Sequence, residues 1–331
     1  MDALSDVLRV MRLKGGVFLH GEFGGSWCIS VKVQPESCSP YLGETAHVIP
    51  YHFVLEGRMR VGMADGQEFE LAAGDSIMFQ RNDPHLLGSD LSLPPEPSRD
   101  YVRQPMEGAL YSMRIGDGPA PTRIVCGFLG TEQVNGNPVI AALPAALHLD
   151  GRPGSAGEWI RTTFHHAAEQ IAAGRMGSEV VMSRLSELLF VEAIQRYAES
   201  LEGGRTGWLA GLKDSYVSRA LAVLHARVNE DWTVEALGRE VGLSRSALAE
   251  RFVEVLGMPP MQYLANWRIH VAAHELINSK KPIVQIAEEV GYDSEASFTR
   301  AFKRVMESPP ATWRRQRSAA WARRGSALRA S

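Results

Sequence analysis

One motif is written twice near the end of this chain. The stretch "ALGREVGLSRSALAERFVEVLGMPPMQYL" has an echo about 49 residues later in "QIAEEVGYDSEASFTRAFKRVMESPPATWR". Val241-Gly242 aligns with Val290-Gly291, Phe252 with Phe302, and Pro259-Pro260 with Pro309-Pro310. Tyr263 and Trp313 each fall three residues after the second proline. Ordered matches at conserved offsets mean a structural unit used twice. Each copy must build the same backbone, which constrains the fold of this third of the chain more than any composition does.

The unit reads as two helices joined by a tight turn. Each copy has a small residue four before a glycine, Gly238 before Gly242 and Ala287 before Gly291. The small residue admits a close neighbour, and the glycine takes the positive φ of the turn at little cost. Ser244 and Ser294 follow as N-caps of the second helix. Leu248 and Phe252, like Phe298 and Phe302, lie at i, i+4 and must face a core. This predicts a helix-turn-helix, twice, with one extra residue in the second turn. The opposite face of the first copy carries Arg245, Ser246, Ala249 and Glu250. That of the second carries Glu295, Ala296, Thr299, Arg300 and Lys303. A helix fits the major groove, where base edges are distinguishable. Arg245 and Arg300 are the best base readers, because a guanidinium binds guanine bidentately for about 1–3 kcal/mol of discrimination. Lys303 and Arg304 are expected at phosphates. Ser244, Ser294 and Ser297 complete the candidate DNA-binding set. A continuous helical stretch from Met261 to about Ile277 would hold the units at a fixed separation, able to meet adjacent major-groove segments about 34 Å apart. Any one of these side chains taken alone is as well explained as an ordinary solvated helix residue; the duplicated constellation is not.

Charge agrees with this without proving it. The 331 residues carry a net charge of -3. From residue 213 onward there are 18 Lys+Arg against 13 Asp+Glu, so one end is suited to a polyanion. Arg314, Arg315, Arg317, Arg323, Arg324 and Arg329 in the tail supply all of that excess, since residues 213–313 carry 12 Lys+Arg against 13 Asp+Glu. The length suits about two domains. No run approaches the about 18–20 apolar residues needed to span a bilayer, so no membrane partner is expected. Asp2 and Asp6 stand where a signal peptide needs Lys or Arg. Cys28, Cys38 and Cys126 are too few for a disulfide framework or a closed zinc site. A cytoplasmic protein is expected.

The front of the chain has another texture. Leu4, Val7, Leu8 and Met11 space a short amphipathic helix over residues 2–13. Short segments rich in Val, Ile, Phe and Tyr then alternate with Gly, Pro, Asp and Asn up to about residue 130, and Asp65-Gly66 signals a tight hairpin. The pattern predicts an antiparallel β-barrel or sandwich, with a proline-rich loop over 88–108. The Gly/Pro-rich 150–157 reads as a linker. Helices are expected near 158–173 and 178–201, the latter ending at Gly203-Gly204. Leu185, Leu188, Leu189, Ile194 and Tyr197 on the longer helix can pack within the chain or form a homodimer seam. The whole is therefore a two-domain α+β chain: residues 1–150 form the β-domain, 151–207 a helical connector with intrachain packing and dimerisation both open to it, 208–315 an all-α domain with two helix-turn-helix units, and 316–331 a basic tail.

On these residues two resemblances rest. Residues 213–315 resemble the DNA-binding domain of the AraC/XylS family of transcription regulators, with "GYDSEASFTRAFKRVMESPPATWR" similar to its C-terminal signature. The resemblance implies two helix-turn-helix subdomains bridged by a linker helix, with recognition residues on 244–252 and 294–303. Ala249 and Glu250 depart from the Arg or Gln-like readers common there. The segment "YHFVLEGRMRVGMADGQEFELAAGDSIMFQRNDPHLL", with Trp27 and Leu143-Pro144, resembles the cupin-like ligand-binding domain of one branch of that family. A metal-binding cupin offers clustered His, a Glu and a distant His. Here His52 and Glu56, four apart on a strand and so expected on one face, and His85 are the ligand or metal candidates, and no more than three. No cofactor is required, though a divalent metal is chemically feasible at three ligands. No catalytic residue is assigned, because no Ser/His/Asp arrangement, phosphate loop or dinucleotide fingerprint is present. The expected function is sequence-specific DNA binding by a homodimer, on double-stranded DNA, with a cupin-like domain that senses an unknown small-molecule effector or mediates dimerisation. The alternatives are a metal-dependent cupin enzyme fused to a DNA-binding domain, and an architectural protein with no ligand.

Overall fold

The computed structural model describes residues 2–11, 13–34, 38, 47–103, 111–116, 121–131, 137–151, 156–172, 178–202 and 206–317. The tail from residue 318, Gly203-Gly204, residues 104–108 of the proline-rich loop and most of the 150–157 linker lie outside the described residues. In chain order, helix α1 (Ala3–Met11) precedes strands β1 (Lys14–Phe23), β2 (Cys28–Val31), β3 (His47–Glu56), β4 (Arg58–Met63), β5 (Glu68–Ala72) and β6 (Ser76–Phe79). Then come β7 (His85–Gly88), β8 (Glu96–Pro97), β9 (Val102–Arg103), β10 (Tyr111–Ile115) and β11 (Thr122–Thr131). Helix α2 (Pro138–Ala142) and β12 (Ala146–Leu149) are followed by α3 (Ala156–Ala172) and α4 (Ser178–Ser200). The remaining helices are α5 (Trp208–Gly211), α6 (Ser215–Ala226), α7 (Val234–Val241), α8 (Arg245–Leu256), α9 (Pro260–Asn278), α10 (Ile283–Glu289) and α11 (Glu295–Met306). Among the described residues no helix is long and apolar enough to cross a membrane.

The chain divides into two compact units. One joins Leu13–Thr131 with Leu143–Glu199; the other joins Met1–Arg12, Glu132–Ala142 and Ser200–Ser331. In the first, a seven-stranded sheet runs β12-β6-β3-β11-β1-β10-β9 and a five-stranded sheet runs β5-β4-β7-β2-β8. Their inner faces share one apolar core. Leu19, Phe23, Val54, Ile77, Phe79, Met113 and Ile124 come from the larger sheet, and Ile29, Met59, Val61, Leu71 and Leu87 from the smaller. The expected sandwich is therefore present, with both sheets open rather than closed into a barrel. Most pairings are antiparallel, but β1 with β10 and β2 with β8 are parallel. Parallel neighbours need a long crossover, and these pairs lie far apart in sequence. The expected hairpin at Asp65-Gly66 joins β4 to β5. Met63 N donates to Gln67 O at 2.8 Å, and Gly66 takes φ +86.

Strand β3 is covered on both sides. His52 and Val54 face the core between the sheets, while Tyr51 and Phe53 meet the helices. Phe164 of α3 stacks on Phe53 at 4.7 Å, and Tyr51 and Ser186 of α4 share a 2.6 Å hydrogen bond. A strand buried on two faces needs a continuous apolar run, which "YHFVL" supplies. Helix α4 also lies close over β1, where a Cβ on Gly15 would sit 2.6 Å from the Ser186 Cβ. Leu185, Leu189 and Ile194 of α4 are buried, whereas Val180, Val181, Leu188 and, on α3, Trp159 are exposed.

The second unit is helical. Helix α1 belongs to it: Ala3, Val7 and Met11 are buried, and the helix packs on α6 and α9. Asp2 caps it, accepting from Ser5 N at 2.9 Å. Around α9, the residues Ile269, Ala272, Ala273 and Leu276 pack with Ile286, Ala287, Val290, Phe298, Phe302, Met306 and Trp313 in one core. The chain is helical again over 310–317.

Candidate functional site

The first repeat folds as α7, a turn, and α8. Thr233 caps α7 by accepting from Ala236 N, and Gly242 ends it at φ +83. Leu243 N then donates back to Gly238 O at 2.8 Å. A Cβ on Gly238 would lie 2.7 Å from Leu243 O, so the small residue is what admits the returning chain. Ser244 caps α8 by accepting from Ala247 N at 3.2 Å. Leu248 and Phe252 are fully buried. The second repeat does the same with α10 and α11. Gly291 takes φ +84, and Ser294 accepts from Ser297 N at 3.3 Å. Phe298, Phe302 and Met306 are buried. The extra residue lies between Tyr292, whose N donates to Ala287 O, and the Ser294 cap. After both second helices the chain turns left-handed, at Gly257 with φ +74 and at Glu307 with φ +58.

The faces opposite these cores carry the expected candidates. Ser244, Arg245, Ser246 and Glu250 are exposed and Ala249 is half-buried. Ser294, Glu295, Ala296, Arg300, Lys303 and Arg304 are exposed, with Ser297 and Thr299 half-buried. Ser244, Ser294 and Ser297 are engaged in capping and local hydrogen bonds.

The two faces differ electrostatically. On the first unit, Arg245 reaches back across the turn to Glu235 of α7 at 2.8 Å. Arg251 meets Asp214, the N-cap of α6, at 2.6 and 2.8 Å. Arg227 is held by Glu230 at 2.6 Å and by Glu240 at 3.3 Å. On α11, Arg300, Lys303 and Arg304 have no ion-pair partner among the described residues. Sequence reading missed Glu235 and Asp214, since neither lies at a helical i, i+4 spacing from its arginine; only the fold brings them together.

In the β-unit, His52 and His85 do come together, and Glu56 does not join them. His52 Nε2 is 2.8 Å from His85 Nε2, and His52 Nδ1 is 3.0 Å from Cys126 Sγ. His85 Nδ1 is 2.9 Å from Asp83 O. A carbonyl only accepts, so His85 Nδ1 carries its proton and His85 Nε2 accepts from His52 Nε2–H. His52 Nδ1 is then the acceptor for the Cys126 thiol. The chain is satisfied throughout with every member neutral. Phe79 stacks on His85 at 3.7 Å. Burial pushes His85 down to about 4. Burial, then the neighbouring His85, holds His52 well below its usual value, and burial raises the Cys126 thiol.

Glu56 is exposed and paired with Arg123 at 2.9 Å. The expectation that it shares a face with His52 fails for one reason. Arg123 pairs with Glu56 but Ile124 pairs with Val54, so Leu55 is an extra residue in the ladder. Such a bulge shifts the alternation by one, and Glu56 turns outward. Two imidazole nitrogens are fewer than the three protein ligands that a zinc site uses. Among the described residues no group of three or more His, Cys, Asp or Glu side chains is arranged to hold a metal ion. The residues present do not fit a metal centre here.

The fold and its exposed helix faces define a double helix-turn-helix protein joined to a cupin-type β-sandwich. Residues 2–199 match the family described as Cupin, and residues 237–316 the family described as Helix-turn-helix domain. A protein of Streptomyces antibioticus named as an AraC-like transcription regulator is 28% identical, covering 95% of this chain and 99% of its own. The HTH-type transcriptional regulator AlkR of Acinetobacter baylyi is 26% identical, covering 96% of this chain and 100% of its own. A solved structure of a transcriptional regulator with an AraC-type DNA-binding domain, from Chromobacterium violaceum, is 28% identical. It spans 33% of this chain and 96% of that one at a TM-score of 0.31. The chain belongs to the AraC-type family of DNA-binding transcription regulators, in the group that carries a cupin-like N-terminal domain.

Proposed function

We propose that this regulator grips double-stranded DNA mainly through α11, with α8 serving chiefly to position it. The observation that carries this reading is the distribution of free cations. Among the described residues Arg300, Lys303 and Arg304 are exposed without carboxylate partners, whereas Arg245 and Arg251 are already neutralised by Glu235 and Asp214. A cation paired within the protein must give up that pair to reach a phosphate or base. A free one gains counterion release directly. On this reading Arg300 reads a base edge, while Lys303 and Arg304 bind phosphate. Ser244, Arg245, Ser246, Ala249 and Glu250 line the first groove contact, and Ser294, Glu295, Ala296, Ser297 and Thr299 complete the second.

The cupin-like unit receives a small-molecule effector, and the chain works as a homodimer in the cytoplasm. An effector changes DNA affinity only by its differential affinity for two states of the protein. The apolar exposure of Trp159, Val180, Val181 and Leu188 supports a second copy of the chain as the partner.

The test uses duplexes selected from a random-sequence pool by the full chain. Arg300→Ala is expected to weaken binding and relax preference at one base position, whereas Arg304→Ala weakens binding across sequences and lowers the salt dependence. Equal affinity of wild type and Arg300→Ala on the selected site would overturn the assignment.

A further inference from the structure

Helix α9 is shared by the two helix-turn-helix units. Its first half serves the first unit: Tyr263 takes a hydrogen bond from Trp208 Nε1 at 2.9 Å and bonds His225 at 2.7 Å, and Trp267 stacks on His225 at 3.9 Å. Its second half serves the core of the second unit through Ile269, Ala272, Ala273 and Leu276. Arg268 lies at the changeover, and its half-buried guanidinium contacts both units. Nε donates to Val228 O at 2.8 Å and Nη2 to Glu230 O at 2.7 Å, both in the loop between α6 and α7. Nη1 donates to Gly291 O at 2.8 Å, in the turn of the second unit.

The two turns differ accordingly. A Cβ on Gly291 would lie 2.6 Å from Arg268 Nη2 and 2.9 Å from Asn229 O, whereas among the described residues one on Gly242 would meet nothing within 4 Å beyond its own local backbone. The second turn is thus packed against the first unit, and the first turn is open. Both glycines need a positive φ, but only Gly291 also needs the missing side chain. A guanidinium holds its donors in one rigid plane. Three carbonyls from two units, gathered on that plane, resist both sliding and rotation of one unit against the other.

We infer that Arg268 is a positioning residue. It sets the relative placement of α8 and α11, and with it the base-pair spacing between the two major-groove elements that this regulator accepts. Adding one base pair moves the second element by about 3.4 Å and rotates it by roughly a tenth of a turn. A rigid pair of units must distort itself or the DNA to follow, whereas a loosened pair adapts.

The experiment takes a duplex selected by the wild-type full chain and inserts or removes one base pair between its two elements. Binding is measured for wild type, Arg268→Ala and Arg268→Lys, with thermal melts of each protein. Wild type is expected to lose about tenfold or more at the altered spacings, the scale of a single mismatched base pair. Arg268→Ala is expected to bind the native spacing more weakly, yet to lose no more than about threefold at the altered ones. Arg268→Lys, whose single ammonium cannot span three carbonyls, falls between. A merely structural role would lower affinity at every spacing alike. A folded Arg268→Ala that keeps the wild-type ratio between spacings overturns the inference, as does a wild type indifferent to spacing. Should Arg268→Ala fail to fold, Arg268→Lys decides in the same terms: a reduced ratio supports the inference and an unchanged one overturns it.

Discussion

Lys303→Ala tests the division of labour between the two recognition helices. Lys303 is exposed on α11, beside Arg300 and Arg304, and among the described residues no carboxylate holds it. Removing it therefore breaks no ion pair, and its effect on DNA binding is the contact itself. Each phosphate neutralised contributes about 0.9 to the slope of log affinity against log salt. The variant's slope should be shallower by about 0.9, so that over a fourfold rise in salt the wild type loses about 3.5-fold more affinity than the variant. The control is Arg251→Ala on α8, where the guanidinium is held by Asp214 at 2.6 and 2.8 Å. That change should leave the slope as it is and lower the melting temperature, since Asp214 also caps α6 through Tyr216 N and Val217 N. Anisotropy titrations of a labelled duplex between about 50 and 200 mM salt read both effects. The reasoning fails if Lys303→Ala keeps the wild-type slope, or if Arg251→Ala lowers it by a full phosphate.

Glu307 occupies the left-handed position that Gly257 fills in the first repeat. Glu307→Gly should stabilise the second unit by about 1 kcal/mol, read as a higher denaturation midpoint. Acid should weaken both units. His52 and His85 in one, and His225 in the other, are held neutral by burial, with His225 pushed down to about 3. The unfolded chain takes up these protons near pH 6.5 and the folded one only far lower. Stability is thus complete above that value and falls as pH drops below it, by up to about 1.4 kcal/mol per pH unit for each imidazole. Urea midpoints that agree at about pH 7.5 and about pH 5 would contradict this. Val181→Glu combined with Leu188→Glu places two charges on exposed apolar positions of α4. If the proposed homodimer forms through this face, sedimentation should show a dimer for the wild type and a monomer for the variant, and an intact variant dimer would move the seam elsewhere.

What the sequence determined is what local chemistry encodes. The repeat, the Ser244 and Ser294 caps, the inward Leu248, Phe252, Phe298 and Phe302, and the positive φ of Gly242 and Gly291 all depend on neighbours a few residues away. The helical period then told inside from outside. In the β-unit the alternating segments and Asp65-Gly66 likewise predicted strands and a hairpin, and the two sheets contain them. What the tertiary structure decided depends on partners far away in the chain. The bulge at Leu55 exists only against β11, and it alone turns Glu56 away from His52. Whether Arg245 and Arg251 are free or neutralised depends on where the fold puts Glu235 and Asp214. The three hydrogen bonds of the Arg268 guanidinium go to backbone carbonyls, and every residue has a carbonyl. No side-chain type at positions 228, 230 or 291 announces an acceptor, so that clamp has no signature in the sequence and appears only when the two units are brought together.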